Sequence, residues 1–170
     1  QGVDRLSPTD AYNTPDRIEL GTFMLMAATA AEPGDPVEIK KGTHEHLGPD
    51  FKQYLADTGV DVDYQDEVVT VTRPDTLTPV SIETAPYPGF PTDLQAQWTV
   101  LLGTADGTAT VTDTIYDDRF KHVPELQRLG MKISVDGNTA TVTGGQSLNG
   151  AKVMSTDLRA SVSLVMAGMI

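Results

Sequence analysis

The sequence predicts an α/β fold of repeated helix–strand–helix–hairpin units, and two internal echoes carry that expectation. In the first, Leu55-Ala56-Asp57-Thr58-Gly59-Val60-Asp61-Val62 recurs as Leu126-Gln127-Arg128-Leu129-Gly130-Met131-Lys132-Ile133, a register of 71 residues. The register holds without a gap, pairing Tyr64 with Val135, Val69 with Ala140 and Val71 with Val142. In the second, Thr92-Asp93-Leu94-Gln95-Ala96 recurs as Thr156-Asp157-Leu158-Arg159-Ala160, 64 residues later.

Taken in order, Thr14-Pro15-Asp16 predicts a first helix, with Pro15 in its first turn, running through Ile18, Phe23, Leu25 and Ala28. Glu32-Pro33-Gly34-Asp35-Pro36 is a surface loop, and Val37 to Ile39 is a strand. A second helix ends at Gly59, which supplies a left-handed cap before a β-hairpin. The next unit repeats the plan. Thr92-Asp93 opens a helix burying Trp98, Val100 and Leu101, and Thr108 to Thr112 form a strand. Gly130 then ends a helix, and Asp136-Gly137-Asn138 turns a hairpin. Gly144-Gly145 has no surrounding phosphate-binding pattern and is expected to be a turn. A third unit opens at Asp157 with Val162, Leu164 and Val165 inward, and no cap is evident before Ile170. The expectation is one incomplete domain over 1–170, with units near 14–72, 91–143 and 155–170. Its missing stacking partner implies marginal stability.

Composition narrows the function classes. With 170 residues and 39% hydrophobic content, the chain is long enough for a packed core. No apolar run reaches the roughly 18 residues of a membrane span, and the Met-rich stretch Phe23 to Ala31 lacks a basic leader. Cysteine is absent, which excludes disulfides and thiolate metal sites in this chain and suits a cytoplasmic protein. A formal charge of −12 repels nucleic acid, so an anionic ligand must be held by a few of the twelve basic residues or by helix N-termini.

Five motifs then point to a family. Asp16-Arg17-Ile18-Glu19-Leu20-Gly21-Thr22-Phe23 resembles a D-R-I-E-x-G-T-F helix start, and Ala85 to Gln97 is close to P-x-P-x-F-P-T-D-x-Q-A-Q. Arg119-Phe120-Lys121-His122-Val123-Pro124-Glu125-Leu126 is similar to R-F-x-H-V-P-E-L; Leu148 to Ala151 and Thr156 to Ser161 match L-x-G-A and T-D-L-R-A-S. In this order, over nearly the whole chain, they resemble the UDP-N-acetylglucosamine 1-carboxyvinyltransferases. The shikimate-pathway enolpyruvyltransferases share the fold but lack the F-P-T-D-x-Q-A-Q pattern.

The resemblance implies a two-domain inside-out α/β barrel, with three units per domain and the active site between domains. The reaction it implies is transfer of the enolpyruvyl group of phosphoenolpyruvate to the 3-hydroxyl of UDP-N-acetylglucosamine, an early step of peptidoglycan synthesis, without cofactor or metal. It places a mobile cysteine (or aspartate) loop and an active-site lysine before residue 1, and a further arginine beyond Ile170. The chain alone is then inactive, and its missing domain is its partner. A relative acting on another sugar or nucleotide and a non-catalytic binding fragment are the competing readings.

By the same resemblance Asp93 is the base that takes the hydroxyl proton, with Thr92 beside it in the substrate site. Read from position alone, Asp93 caps a helix, where its anion is stabilised. Asp157 has the equivalent place in the next unit, with capping and ligand contact both open. Arg119 and Arg159 match arginines of the site, whose guanidinium forks suit carboxylate and phosphate oxygens. Ile115 falls where the family makes a backbone contact to the sugar nucleotide, and Tyr116 where an aromatic follows. Tyr116-Asp117-Asp118-Arg119 departs from the aromatic-Glu-Asn-Arg pattern and adds a negative charge beside Arg119. His122 is expected to pack or to orient the Arg119 loop. His44-Glu45-His46 lacks a third ligand at helical spacing and is an exposed helix start rather than a metal pair.

Overall fold

The computed structural model describes residues 2–155 and 157–170; Thr156 of the T-D-L-R-A-S motif lies outside them. The first helix, α1, spans Arg17–Ala30 because Asp16 caps it, its Oδ1 accepting from the amides of Ile18 at 2.7 Å and Glu19 at 3.4 Å. This cap makes Arg17 the first helical residue and leaves Pro15 outside the helix rather than in its first turn. Along it Leu25 and Ala28 are buried, and Phe23 is 48% exposed. Met24, Leu25, Ala27 and Ala28 already supply the inward face, and Phe23 falls on the opposite side.

Strand β1 (Pro36–Lys40) follows, then a short 3₁₀ turn over His44–Leu47 and helix α2 (Pro49–Asp57). Hairpin β2 (Asp61–Gln65) and β3 (Val68–Thr72) completes a sheet of order β1-β3-β2, antiparallel throughout. Beyond the linker, α3 (Gln95–Thr104), β5 (Thr108–Thr112) and α4 (Val123–Arg128) repeat the order. The hairpin β6 (Lys132–Asp136) and β7 (Thr139–Thr143) stands 71 residues after β2 and β3, as the register requires. Gly59 and Gly130 follow α2 and α4 at φ +90° and +100°, the left-handed backbone a side chain disfavours.

The second sheet has the order β4-β5-β7-β6, and β4 (Ile82–Glu83) pairs parallel with β5. Two residues in a proline-rich linker are too few to show alternation, so this strand left no sequence signal. Val69, Val71, Ala109, Val111, Ala140 and Val142 face the helices; threonines line the other face, where Thr112 and Thr139 hydroxyls lie 3.0 Å apart.

Helix α3 occupies the centre. It is buried from Gln95 to Gly103 and packs against α1, the last helix α5 (Leu158–Ala167), and strands β5 and β7. A helix buried all round shows no single apolar stripe. Trp98 is the hub between the first and second units. Its ring meets Phe90 at 5.3 Å and Tyr54 at 6.5 Å, and its Nε1 donates to the Val80 carbonyl at 3.1 Å. On α5, Leu164 is buried and Val162 half-buried, but Val165 is 59% exposed, with Ala160, Ser163 and Met166 supplying the inward face instead. The helix closes at Ala167, where the Gly168 amide donates to Leu164, so the uncapped helix expected through Ile170 is not what forms.

Gly144-Gly145 is a close approach rather than an isolated turn. The Gly144 amide donates to the Gly107 carbonyl just before β5 at 2.8 Å, and the Gly145 amide to the Gly103 carbonyl at the end of α3 at 3.1 Å. A Cβ on Gly144 would lie 2.1 Å from the Ala105 carbonyl oxygen and 2.3 Å from that of Leu102. Backbone must move to admit it, so Gly144→Ala is expected to cost about 2–3 kcal/mol. Urea unfolding checks this; a midpoint within error of wild type would refute the close-packing account.

Candidate active site

The proline at position 91 ends the linker and starts a single 3₁₀ turn, Thr92–Leu94, ahead of α3. Its backbone turns before the α-helix begins, so Asp93 makes no capping bond to α3 and its side chain faces outward. There Asp93 Oδ1 accepts from Arg159 Nε at 2.6 Å and from the Arg119 terminal nitrogen at 3.2 Å. Both guanidinium groups reach the same oxygen; among the described residues Oδ2 accepts no hydrogen bond. The Asp93 side chain is 41% exposed, so that oxygen is open to a ligand.

Arg159 comes from the first turn of α5, and Arg119 from the loop after β5. Arg119 is held on three sides: its Nε donates to Thr92 Oγ1 at 3.2 Å, its terminal nitrogen reaches Asp93, and its guanidinium lies 4.3 Å from the Tyr116 ring centroid. The Thr92 hydroxyl donates to Asp113 Oδ2 at 2.5 Å. Asp113 Oδ1 in turn accepts from the amides of Ile115 at 2.9 Å and Tyr116 at 3.1 Å. The Ile115 amide is thereby occupied, leaving its carbonyl for any backbone contact to a ligand. Thr92, Asp93, Arg119 and Arg159 are thus directly bonded, and Ile115 and Tyr116 join them through Asp113. Sequence reasoning missed Asp113. Its only signal was an aspartate followed by Thr114 at the end of an alternating strand, a frequent turn former.

Asp157, by contrast, is a cap. Its backbone is extended (φ −151°), and Oδ1 accepts from the amides of Arg159 at 2.8 Å and Ala160 at 2.9 Å. The Ala160 amide bond is the largest influence holding its carboxyl below the usual aspartate range, partial burial opposing it. This cap sets the first turn of α5 and so aims Arg159 at Asp93. The charge added at Asp118 does not compete for Arg119: Asp118 pairs with Lys121 at 3.4 Å, both side chains exposed.

His122 is 2% exposed, at the start of α4, and its Nε2 has no partner among the described residues. Burial pulls its pKa down to about 4, with Asp157 opposing, so the ring is neutral at pH 7. Its folded pKa lies below the unfolded value near 6.5, so its share of stability is fully present above pH 6.5. That share is lost as pH falls from 6.5 toward 4, a loss on the order of 3 kcal/mol. Urea unfolding across this window is expected to lose that dependence in His122→Gln; an unchanged slope would contradict the buried neutral ring.

Asp93 and Arg159 also form one wall of a groove of about 680 Å³ between α1, α3 and α5, with Asp16, Glu19 and Thr22 opposite. His44-Glu45-His46 forms the 3₁₀ turn before α2, where His44 Nδ1 lies 3.0 Å from Lys52 Nζ and the ring packs on Tyr64 at 4.8 Å. Among the described residues no cluster of His, Cys, Asp or Glu is arranged to hold a metal ion, and no helix is long and apolar enough to cross a membrane.

The chain is 46% identical over 170 residues to the UDP-N-acetylglucosamine 1-carboxyvinyltransferase of Desulfosudis oleivorans, covering all of this chain and 40% of the relative. It is 48% identical over 169 residues to the protein of that name in Geotalea daltonii, covering 99% of this chain and 39% of the relative. The chain therefore spans about two fifths of the length of these curated relatives. Among solved structures, the enolpyruvyl transferase NikO from Streptomyces tendae superposes with a TM-score of 0.79 at 29% identity, over 91% of this chain and 36% of its own. An EPSP synthase from Acinetobacter baumannii shares the fold at a TM-score of 0.69 and 17% identity, over 89% of this chain and 38% of its own. The profile described as EPSP synthase (3-phosphoshikimate 1-carboxyvinyltransferase) matches residues 1–170, and the chain belongs to that family of enolpyruvyl transferases.

Proposed function

We propose that this chain forms one side of the active site of a two-domain transferase that moves the enolpyruvyl group of phosphoenolpyruvate to the 3-hydroxyl of UDP-N-acetylglucosamine. On this reading it is an incomplete domain over 1–170, inactive without the rest of the enzyme, and serves cytoplasmic synthesis of peptidoglycan precursors. The observation that carries it is the placement of Asp93. Its carboxylate is clamped through one oxygen by two arginines while the other stays open, an arrangement a helix cap has no use for.

The chemistry follows from those groups. The acceptor hydroxyl adds through its oxygen to C2 of phosphoenolpyruvate, and its proton passes to Asp93 Oδ2. C3 takes up a proton in the same addition. The second stage breaks the C2–O bond, phosphate leaving with the electron pair, and a C3 proton returns to the group that delivered it as the double bond is restored. Arg119 and Arg159 hold Asp93 in orientation and offer guanidinium forks to the carboxylate and phosphate of the donor. They also offset the acidity of the chain at this point.

A relative that transfers to another sugar or nucleotide is the second reading, supported by the likeness to NikO. The 46–48% identity to the UDP-N-acetylglucosamine enzymes against 29% to NikO favours the first. Product analysis tests it. The full-length protein should convert UDP-N-acetylglucosamine to its 3-O-enolpyruvyl ether and leave a 3-deoxy analogue untouched. Modification of the 3-deoxy analogue, or of a different acceptor only, would overturn the assignment.

A further inference from the structure

We infer that Asp113 is a positioning residue of this site, one that fixes both the acceptor-side turn and the arginine on Asp93. The inference rests on the function proposed above for its catalytic consequence, but its structural half stands on geometry alone. Asp113 is 1% exposed, and a carboxylate buried to that degree must be satisfied by hydrogen bonds. Every one of those bonds runs to the site. Oδ1 gathers the amides of Ile115 and Tyr116, and Oδ2 takes the proton of Thr92 at 2.5 Å.

Direction is what makes the residue specific. Because Asp113 accepts the Thr92 proton, the Thr92 oxygen keeps its lone pairs for Arg119 Nε. The chain of bonds therefore runs Arg119 to Thr92 to Asp113, with Arg119 reaching Asp93 by its other nitrogen. Asp113 is itself pinned to the β6–β7 turn, its amide donating to the Asn138 carbonyl at 2.9 Å and its carbonyl accepting from Asn138 Nδ2 at 3.1 Å. The hairpin thus sets Asp113, Asp113 sets Thr92 and the 115–116 turn, and Thr92 sets Arg119.

An asparagine at 113 has the same shape but cannot serve both sides. If its oxygen faces the two amides, its NH₂ meets Thr92 and the threonine proton loses its acceptor. If it is flipped, the NH₂ confronts two N–H donors. Asp113→Asn in the full-length enzyme is therefore expected to lower kcat/KM by roughly 10- to 100-fold and to raise KM. A variant that merely lowered the folded fraction would reduce kcat and leave KM unchanged. Thr92→Val removes the link from its other end, and the double variant should be no more than about 3-fold worse than the poorer single variant, since the two act as one unit.

The structural half is read separately on this chain by NMR exchange of the Arg119 Nε–H proton. That exchange should speed at least about tenfold in Thr92→Val, which removes the acceptor of the bond, and in Asp113→Asn, which removes the group that orients that acceptor. Unchanged exchange, or strictly additive kinetic effects, would overturn the inference. If Asp113→Asn fails to fold, Asn138→Ala, which removes the side-chain bond that pins Asp113 and leaves both Thr92 and Arg119 intact, decides the matter by the same exchange measurement. A wild-type enzyme that releases no phosphate with these substrates would sink the proposed function and leave the exchange result to judge Asp113.

Discussion

Replacing Asp93 with alanine is expected to lower turnover of the full-length transferase by roughly 10³-fold while leaving the fold intact. The two halves of that expectation have separate causes. On the proposed function turnover falls because the carboxylate takes the acceptor proton at Oδ2, while Oδ1 is held by Arg119 and Arg159. The fold survives because Asp93 caps nothing: α3 begins at Gln95 without a side-chain bond, and the residue is 41% exposed. Removing it takes the shared carboxylate from Arg119, which is 16% exposed and keeps its bond to Thr92, and from the half-exposed Arg159, a local cost on which no helix depends. Single-turnover phosphate release with a circular dichroism melt checks both halves. Turnover within tenfold of wild type would end the assignment of Asp93 as base, and a collapsed melt would show a structural role instead.

Trp98→Ala is expected to cost about 4 kcal/mol and to lower the melting temperature by roughly 10 °C. Trp98 is fully buried on α3, and it touches Tyr54 of α2 and Phe90 of the linker, so it joins the first helix–strand–helix–hairpin unit to the second. Truncation would leave a cavity the surrounding helices cannot close, and would orphan the Val80 carbonyl that its Nε1 now satisfies. Calorimetry would measure the shift. A loss below about 1 kcal/mol would mean the two units are stable independently of this contact.

What could be foreseen follows from how local each signal is. The hairpins were legible because alternation and two-residue turns act over a few residues, and the register of 71 residues carried one pattern onto the other. Inward faces were harder. Helix α5 carries apolar residues on more than one face, so spacing alone placed Val165 inward, where it is 59% exposed. The two Thr-Asp pairs show the limit most clearly. Asp157 has extended backbone and caps α5, whereas Asp93 follows Pro91 into a 3₁₀ turn and faces the arginines. The same two letters gave opposite outcomes because Asp157 stands immediately before its helix while a 3₁₀ turn separates Asp93 from α3, and the family motif rather than the cap signal pointed to Asp93. Asp113 was invisible because its partners are Thr92, from a distant turn, and Asn138, from a later hairpin.

The most direct test of the account is phosphate release from phosphoenolpyruvate by the full-length protein, with and without UDP-N-acetylglucosamine. The account predicts release that depends on the acceptor, saturates with it and is abolished in Asp93→Ala. Release that ignores the acceptor, or none at any concentration from a folded protein, would contradict enolpyruvyl transfer to this sugar nucleotide.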